Sequence, residues 1–194
     1  MDNEKTAFRS LVGQLNWITT NTRPDIAYEV CDLSTSYKTA TVGDLLRMNK
    51  VIRLVKGEVM RLKFPRIHNL ERCTIEVFSD ASFGNLQGEG SQGAIIAFMK
   101  DERGERCPLY WHTRKIRRVV KSTLAAETMA LLEGAETGLY LGKILEEVLG
   151  LKNIAVSCIT DNRSLVESLY STKKVEDKRL RIDMAVLVQM LERK

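Results

Sequence analysis

Asp80, Glu127 and Asp161 are the residues whose types and settings point to chemistry. Asp80 follows the run Ile75-Glu76-Val77-Phe78-Ser79, and Asp161 follows Val156-Ser157-Cys158-Ile159-Thr160. Both runs are rich in β-branched and aromatic residues and read as strands, which puts each carboxylate at a strand's carboxyl end. If those strands are parallel neighbours, the two carboxylates converge at one edge of the sheet, where open α/β sheets hold ligands. Each also has a plainer reading: Asp161 as the N-cap of the helix that follows, Asp80 as a turn residue ahead of Gly84 and Asn85. Glu127 tilts the balance. At helical period it shares a side with Leu124, Leu131, Ala135, Leu139 and Leu149, the stripe that must face the sheet, whereas Glu133, Glu136 and Glu147 point elsewhere. A carboxylate on a buried stripe carries a desolvation cost that a cation or hydrogen bonds must offset. Three such groups suit divalent metal. Two hard cations about 4 Å apart, held by clustered carboxylates, activate water on one side of a phosphodiester and stabilise the leaving oxygen on the other.

The elements that must position these groups fall into two parts. Residues 6 to about 60 read as helical, with one helix over Ala7–Ile18, a second opening at Pro24 and a third from Asp44 to Met60. The proline-bearing stretch 63–69 loses helical period and reads as a linker. Beyond it, Thr74–Ser79, Ala94–Met99 and Pro108–Thr113 have the short spacing of a hairpin-connected antiparallel meander. A long helix is predicted over Thr123–Leu149, ending at Gly150, then a strand over Ile154–Thr160, a helix over Asn162–Tyr170 and a last amphipathic helix over Lys178–Arg193. The order β-β-β-α-β-α-α implies an α/β fold with a mixed sheet, the first strand lying parallel to the one reached through the long helix.

Composition sets outer bounds. The chain has 194 residues, 44% hydrophobic and 28% charged, which is globular and long enough for one full domain with a smaller appendage. A net charge of +5 favours an acidic partner such as nucleic acid. Cys31, Cys73, Cys107 and Cys158 lack the pairing of a zinc site and the density of a disulfide scaffold, and read as reduced thiols of an intracellular protein. No apolar run nears the roughly 18 residues of a membrane span, and the start Met1-Asp2-Asn3-Glu4-Lys5 is no signal peptide, so the expectation is a protein that is not secreted.

Several weaker signals have structural readings beside their functional ones. The segment Gly88-Glu89-Gly90-Ser91-Gln92-Gly93 satisfies a GxGxxG pattern, yet a strand follows where a dinucleotide site needs a helix, so it reads as a hairpin turn. His68 and His112 have no partner at ligand spacing, and Trp111 reads as core ahead of a base-stacking platform. Arg114, Lys115, Arg117, Arg118 and Lys121 stand just before the helix of Glu127, either as a solvated loop or as a set that tracks phosphates. Lys173, Lys174, Lys178, Arg179 and Arg181 form a second basic set, interrupted by Glu176 and Asp177.

Six motifs in order then carry a resemblance. They are Ser79-Asp80-Ala81-Ser82; Pro108-Leu109-Tyr110-Trp111 with Arg114-Lys115; Ser122-Thr123-Leu124-Ala125-Ala126-Glu127; Thr160-Asp161-Asn162-Arg163-Ser164; Lys178-Arg179-Leu180-Arg181-Ile182-Asp183; and, upstream, Phe8-Arg9-Ser10-Leu11-Val12-Gly13-Gln14-Leu15 with Thr22-Arg23-Pro24-Asp25-Ile26-Ala27. Together they resemble the ribonuclease H domain of copia-type (Ty1/copia, pseudovirus-like) retrotransposon polyproteins, with the connection segment that joins it to the reverse transcriptase. The resemblance implies a ribonuclease H-like domain over 73–194 and a helical connection segment over 1–62. It implies an endonuclease that cuts the RNA strand of RNA–DNA hybrids with two Mg²⁺ or Mn²⁺ ions, Asp80 bridging both and Glu127 and Asp161 holding one each. It also implies a virus-like particle in the cytoplasm, or the nucleus, as the setting and the element's reverse transcriptase as a partner. Two departures matter. The chain has no Tyr-x-Asp-Asp polymerase motif, and it ends at Lys194 before the Ala-Asp-x-x-Thr-Lys segment that brings the family's fourth acid, so the domain is expected to be truncated. Asp183 is either structural or a support behind the ligands. The competing expectation is a catalytically impaired fragment that binds nucleic acid or a polymerase without cleaving.

Overall fold

The computed structural model describes residues 2–86, 89–171 and 175–192. Gly88 of the glycine-rich turn, Lys173 and Lys174 of the second basic set, and Arg193 at the expected end of the last helix lie outside them.

The chain divides into two compact units, residues 1–62 with 112–115, and residues 63–111 with 116–194. In the first, α1 (Asp2–Asn21), α2 (Ala27–Thr35) and α3 (Val42–Gly57) enclose Phe8, Val12, Leu15, Ile26, Val30, Leu33, Met48 and Val51. α1 is longer at both ends than its apolar period predicts, and α3 starts two residues early because Thr41 and Asp44 form a reciprocal capping box. The third helix also stops at Gly57 instead of Met60, with Glu58 already extended. Buried Arg23 closes this end: its guanidinium donates to Asp25 at 2.8 Å and to the carbonyl of Glu58 at 3.0 Å.

The second unit is built on a four-stranded sheet in the order β3-β2-β1-β4, from β1 (Thr74–Leu86), β2 (Gly90–Lys100), β3 (Arg106–Lys115) and β4 (Ala155–Ile159). β1 runs antiparallel to β2 and parallel to β4, with Phe78 opposite Ile159. β1 is more than twice as long as its sequence suggests. The predicted strand stops at Ser79, but pairing with β2 carries it on to Leu86, with a register shift beyond Ser82 where Gly84 takes φ +66°. Asp80 is therefore inside β1, though at the end of its ladder with β4.

α4 (Thr123–Leu149) lies on the sheet, followed by α5 (Arg163–Tyr170) and α6 (Lys178–Glu192). Its buried face differs from the leucine stripe expected. Glu127, Leu131 and Ala135 are buried, but Leu139 and Leu149 are 45% and 38% exposed, and the contact is made by Ala130, Gly134, Gly138 and Gly142. Glycines at this spacing let the helix approach closely. A Cβ on Gly138 would stand 2.6 Å from Val156 Cγ1 and 2.9 Å from Val77 Cγ2. Gly138→Ala should consequently destabilise the unit by about 1–3 kcal/mol despite alanine's better helix propensity, because overpacking outweighs the gain. Denaturant unfolding reads this directly, and a variant as stable as the parent would mean the helix can lift without cost.

Candidate metal centre

The parallel register of β1 and β4 decides where two of the acids go. Two residues beyond the Phe78–Ile159 pair, the chains reach Asp80 and Asp161 at the same end of the ladder. α4 starts at that end, its first turn capped by the Ser122 hydroxyl, which accepts from the Ala125 amide at 3.1 Å. Glu127 follows within two turns. One carboxylate oxygen from each of Asp80, Glu127 and Asp161 lies within 4.8 Å of the others. Glu127 is 5% exposed, whereas both aspartates are exposed to solvent. The chain thus carries an α/β domain whose mixed four-stranded sheet gathers three carboxylates at one end of its parallel strand pair.

The comparisons with known proteins are partial. No family model matches the chain. It is 33% identical over 76 residues to the Uncharacterized mitochondrial protein AtMg00810 of Arabidopsis thaliana, a match covering 39% of this chain and 30% of that protein. Among solved structures it is similar to LC11-RNase H1, isolated from compost by a metagenomic approach, at 18% identity over 62% of this chain and 77% of that one, with a TM-score of 0.38. RNase H1 of the halophilic archaeon Halobacterium salinarum NRC-1 gives 15% identity, 60% and 78% coverage and a TM-score of 0.38. LC11-RNase H1 in complex with an RNA/DNA hybrid gives 18% identity, 60% and 75% coverage and a TM-score of 0.40. At that level of overlap these likenesses add no weight; strand order and register carry the fold.

Within this acidic site, burial is the dominant influence on Glu127 and the charges of Asp80 and Asp161 add to it, raising its pKa to about 7. The Ala81 backbone amide and the Asn162 side chain pull the other way by hydrogen-bonding the carboxylate. Glu127 Oε2 is nonetheless buried without a hydrogen-bond partner. An orphaned carboxylate oxygen beside two exposed aspartates fits a hard divalent cation, which prefers oxygen ligands and would relieve the mutual repulsion.

The remaining candidates separate. Asp183 is buried, yet it stands outside the acidic cluster and pairs with Arg118, whose NH1 is 3.3 Å from its Oδ1. Among the described residues it forms no ion pair with Arg179 or Arg181, its basic neighbours in α6. Arg114 and Lys115 close β3 and group with the helical unit, whereas Arg117, Arg118 and Lys121 belong to the sheet unit. Arg118 and Lys121 line a cleft of about 420 Å³ together with Lys178 and Arg179 from the start of α6. Asp177, also in the cleft, caps that helix by accepting from the Arg179 and Leu180 amides at 2.8 and 3.1 Å. Two cations of the weaker basic set thus join two of the stronger one. His68 serves through its backbone amide, which donates to Asp101, and all four cysteines are free thiols.

Sequence reasoning passes over Asn162 as a site residue. The chain pattern holds one signal for it, an Asn placed where a helix begins, and the N-cap of α5 is indeed Asn162 and not Asp161.

Proposed function

We propose that the domain is a divalent-metal-dependent endonuclease that hydrolyses the RNA strand of RNA–DNA hybrids, as part of a Ty1/copia-type retrotransposon polyprotein in which residues 1–62 connect it to a reverse transcriptase. The observation that carries the proposal is the convergence of Asp80, Glu127 and Asp161 on one end of the β1–β4 ladder. These three would hold two Mg²⁺ or Mn²⁺ ions, which when bound supply Lewis-acid activation of water and neutralise charge on the phosphate. The chain's own residues do the rest. Glu127, fixed in the helix that covers the sheet, keeps a carboxylate at the inner wall of the site, and the aspartates face the solvent side from which a phosphodiester arrives. Arg118, Lys121, Lys178 and Arg179 surround a cleft suited to a backbone phosphate, although Arg118 is engaged with Asp183. The hybrid would be recognised by shape and 2′-hydroxyls instead of base sequence. The six ordered motifs are compatible with the retroelement setting.

The test is a hybrid labelled on its RNA strand and incubated with Mg²⁺, beside duplex DNA and single-stranded RNA of the same sequence. Cutting confined to RNA in the hybrid is expected. Preferential cutting of duplex DNA overturns the substrate, and salt-dependent hybrid binding without turnover leaves the binding-only reading standing. Hybrid binding measured in EDTA should weaken steeply with salt. Lys121→Ala and Lys178→Ala are each expected to lower the log–log salt slope by roughly one, as the loss of one phosphate contact requires; an unchanged slope would take the cleft out of the nucleic-acid surface.

A further inference from the structure

The segment 116–122 joins β3 to α4 without regular secondary structure, and its residues Arg118 to Lys121 form one wall of the basic cleft. Its backbone is anchored at both ends. Ile116 and Val120 pack against Ala81, Ala126 and Ala130, the Ile116 amide donates to the Ser91 carbonyl at 2.8 Å, and Ser122 caps α4. Between those anchors Val119 is 85% exposed and the Lys121 side chain 83%. The opposite wall belongs to α6, which Leu180, Met184 and Leu187 fix in the core. Among the described residues, two ion pairs cross from this segment to the α6 side. Lys121 Nζ stands 3.9 Å from Asp177 Oδ2, a solvated pair of the kind that contributes little. Arg118 and Asp183 differ: the two terminal guanidinium nitrogens donate one to each carboxylate oxygen, and Asp183 is buried. A two-pronged pair fixes orientation as well as distance, and a buried carboxylate left without its cation is costly, so the contact is a firm one. The fork of Arg118 is thereby spent on Asp183 and not on a phosphate.

We propose that Asp183 is a positioning residue for the nucleic-acid backbone: by docking Arg118 on α6 it holds the segment 116–122, and Lys121 with it, at the spacing from Lys178 and Arg179 that a shared phosphate requires. The inference rests on the reading of the cleft as a backbone-phosphate surface and does not involve the metal centre. It reverses the sign expected from charge alone. Asp183 is a negative charge beside a surface for a polyanion, so simple electrostatics has Asp183→Asn tighten hybrid binding and steepen its salt dependence. A positioning role has the same substitution loosen it. A role confined to fold stability would change only the fraction of folded protein and leave the salt slope of that fraction untouched.

The experiment measures the affinity of the full chain for an RNA–DNA hybrid in EDTA across a salt series, with far-UV circular dichroism as the check on folding. Asp183→Asn should weaken binding about 10-fold at low salt and lower the log–log salt slope by roughly one, the signature of one lost phosphate contact. Arg118→Lys keeps the net charge but not the two-pronged geometry, and should do the same. In the Asp183→Asn background Lys121→Ala should then add nothing, because its contact has already gone, whereas Lys178→Ala should still lower the slope by roughly one. Unchanged or tighter binding by Asp183→Asn, or a full Lys121→Ala effect in that background, overturns the inference; if the asparagine variant loses its helix content, Arg118→Lys decides by the same criteria. A parent chain whose salt slope responds to neither Lys121→Ala nor Lys178→Ala overturns the reading of the cleft itself and this inference with it.

Discussion

Replacing Asp80 by asparagine is expected to lower metal-dependent cleavage of the hybrid by roughly 10³-fold while leaving the fold standing. Asp80 is exposed, lies inside β1 and takes its backbone bonds from the ladder with β2, so the change removes a charge without removing packing. The loss follows from its place. It stands across from Asp161 just beyond the last β1–β4 pair, and its charge contributes directly to the raised pKa of Glu127. A site that loses one of three carboxylates loses much of its hold on the cations, and charge stabilisation by bound metal is worth several kcal/mol in a transition state. Several kcal/mol is about three decades in rate. Hybrid affinity in EDTA should be unchanged or slightly tighter, since a negative charge facing the phosphates has gone. Parent and variant cutting a labelled hybrid at equal rates would refute the catalytic assignment, whatever the motifs suggest.

How far the sequence alone leads is clearest at Glu127. Its burial is legible because a carboxylate in phase with Leu131 and Ala135 has nowhere else to point, and the convergence with Asp80 and Asp161 follows from strand order. The extension of that stripe to Leu139 and Leu149 fails for a physical reason. A small residue gives a periodicity argument no signal, so the true contact line through Gly134, Gly138 and Gly142 becomes visible only beside Val77 and Val156. The same limit applies to Asp183 and Arg118, 65 residues apart, whose pairing no local rule of i to i+4 spacing can find. Nor do residues 80–86, which lack a run of β-branched residues, declare themselves a strand when pairing with β2 supplies the reason. Local caps and long amphipathic helices are readable from the chain; contacts set by tertiary approach are not.

Glu127 also predicts the direction in which pH acts on stability. In the unfolded chain its carboxyl ionises near 4.5, and in the folded chain near 7, because burial and the charges of Asp80 and Asp161 resist ionisation. Between those values the folded state holds a proton that the unfolded state has released. Stability from this group is therefore present in full below about 4.5, declines as pH rises, and is gone above about 7. In EDTA, raising the pH from 5.5 to 8 should cost about 2 kcal/mol, since a proton held only by the folded state is worth about 1.4 kcal/mol per pH unit and about one and a half pH units of that range lie below the folded-state ionisation. For a chain of this size that is a fall of roughly 4–8 °C in unfolding midpoint. Millimolar Mg²⁺ should flatten the slope, because a cation stabilises the ionised form that burial penalises, and metal affinity should rise with pH over the same window as the proton is displaced. Glu127→Gln separates this group from every other carboxyl: it should abolish the slope, raise the stability of the metal-free protein at pH 8, and eliminate cleavage. A glutamine variant that keeps the parent's pH slope would mean that Glu127 is ionised throughout, and with it would go the reason for expecting a cation at its side.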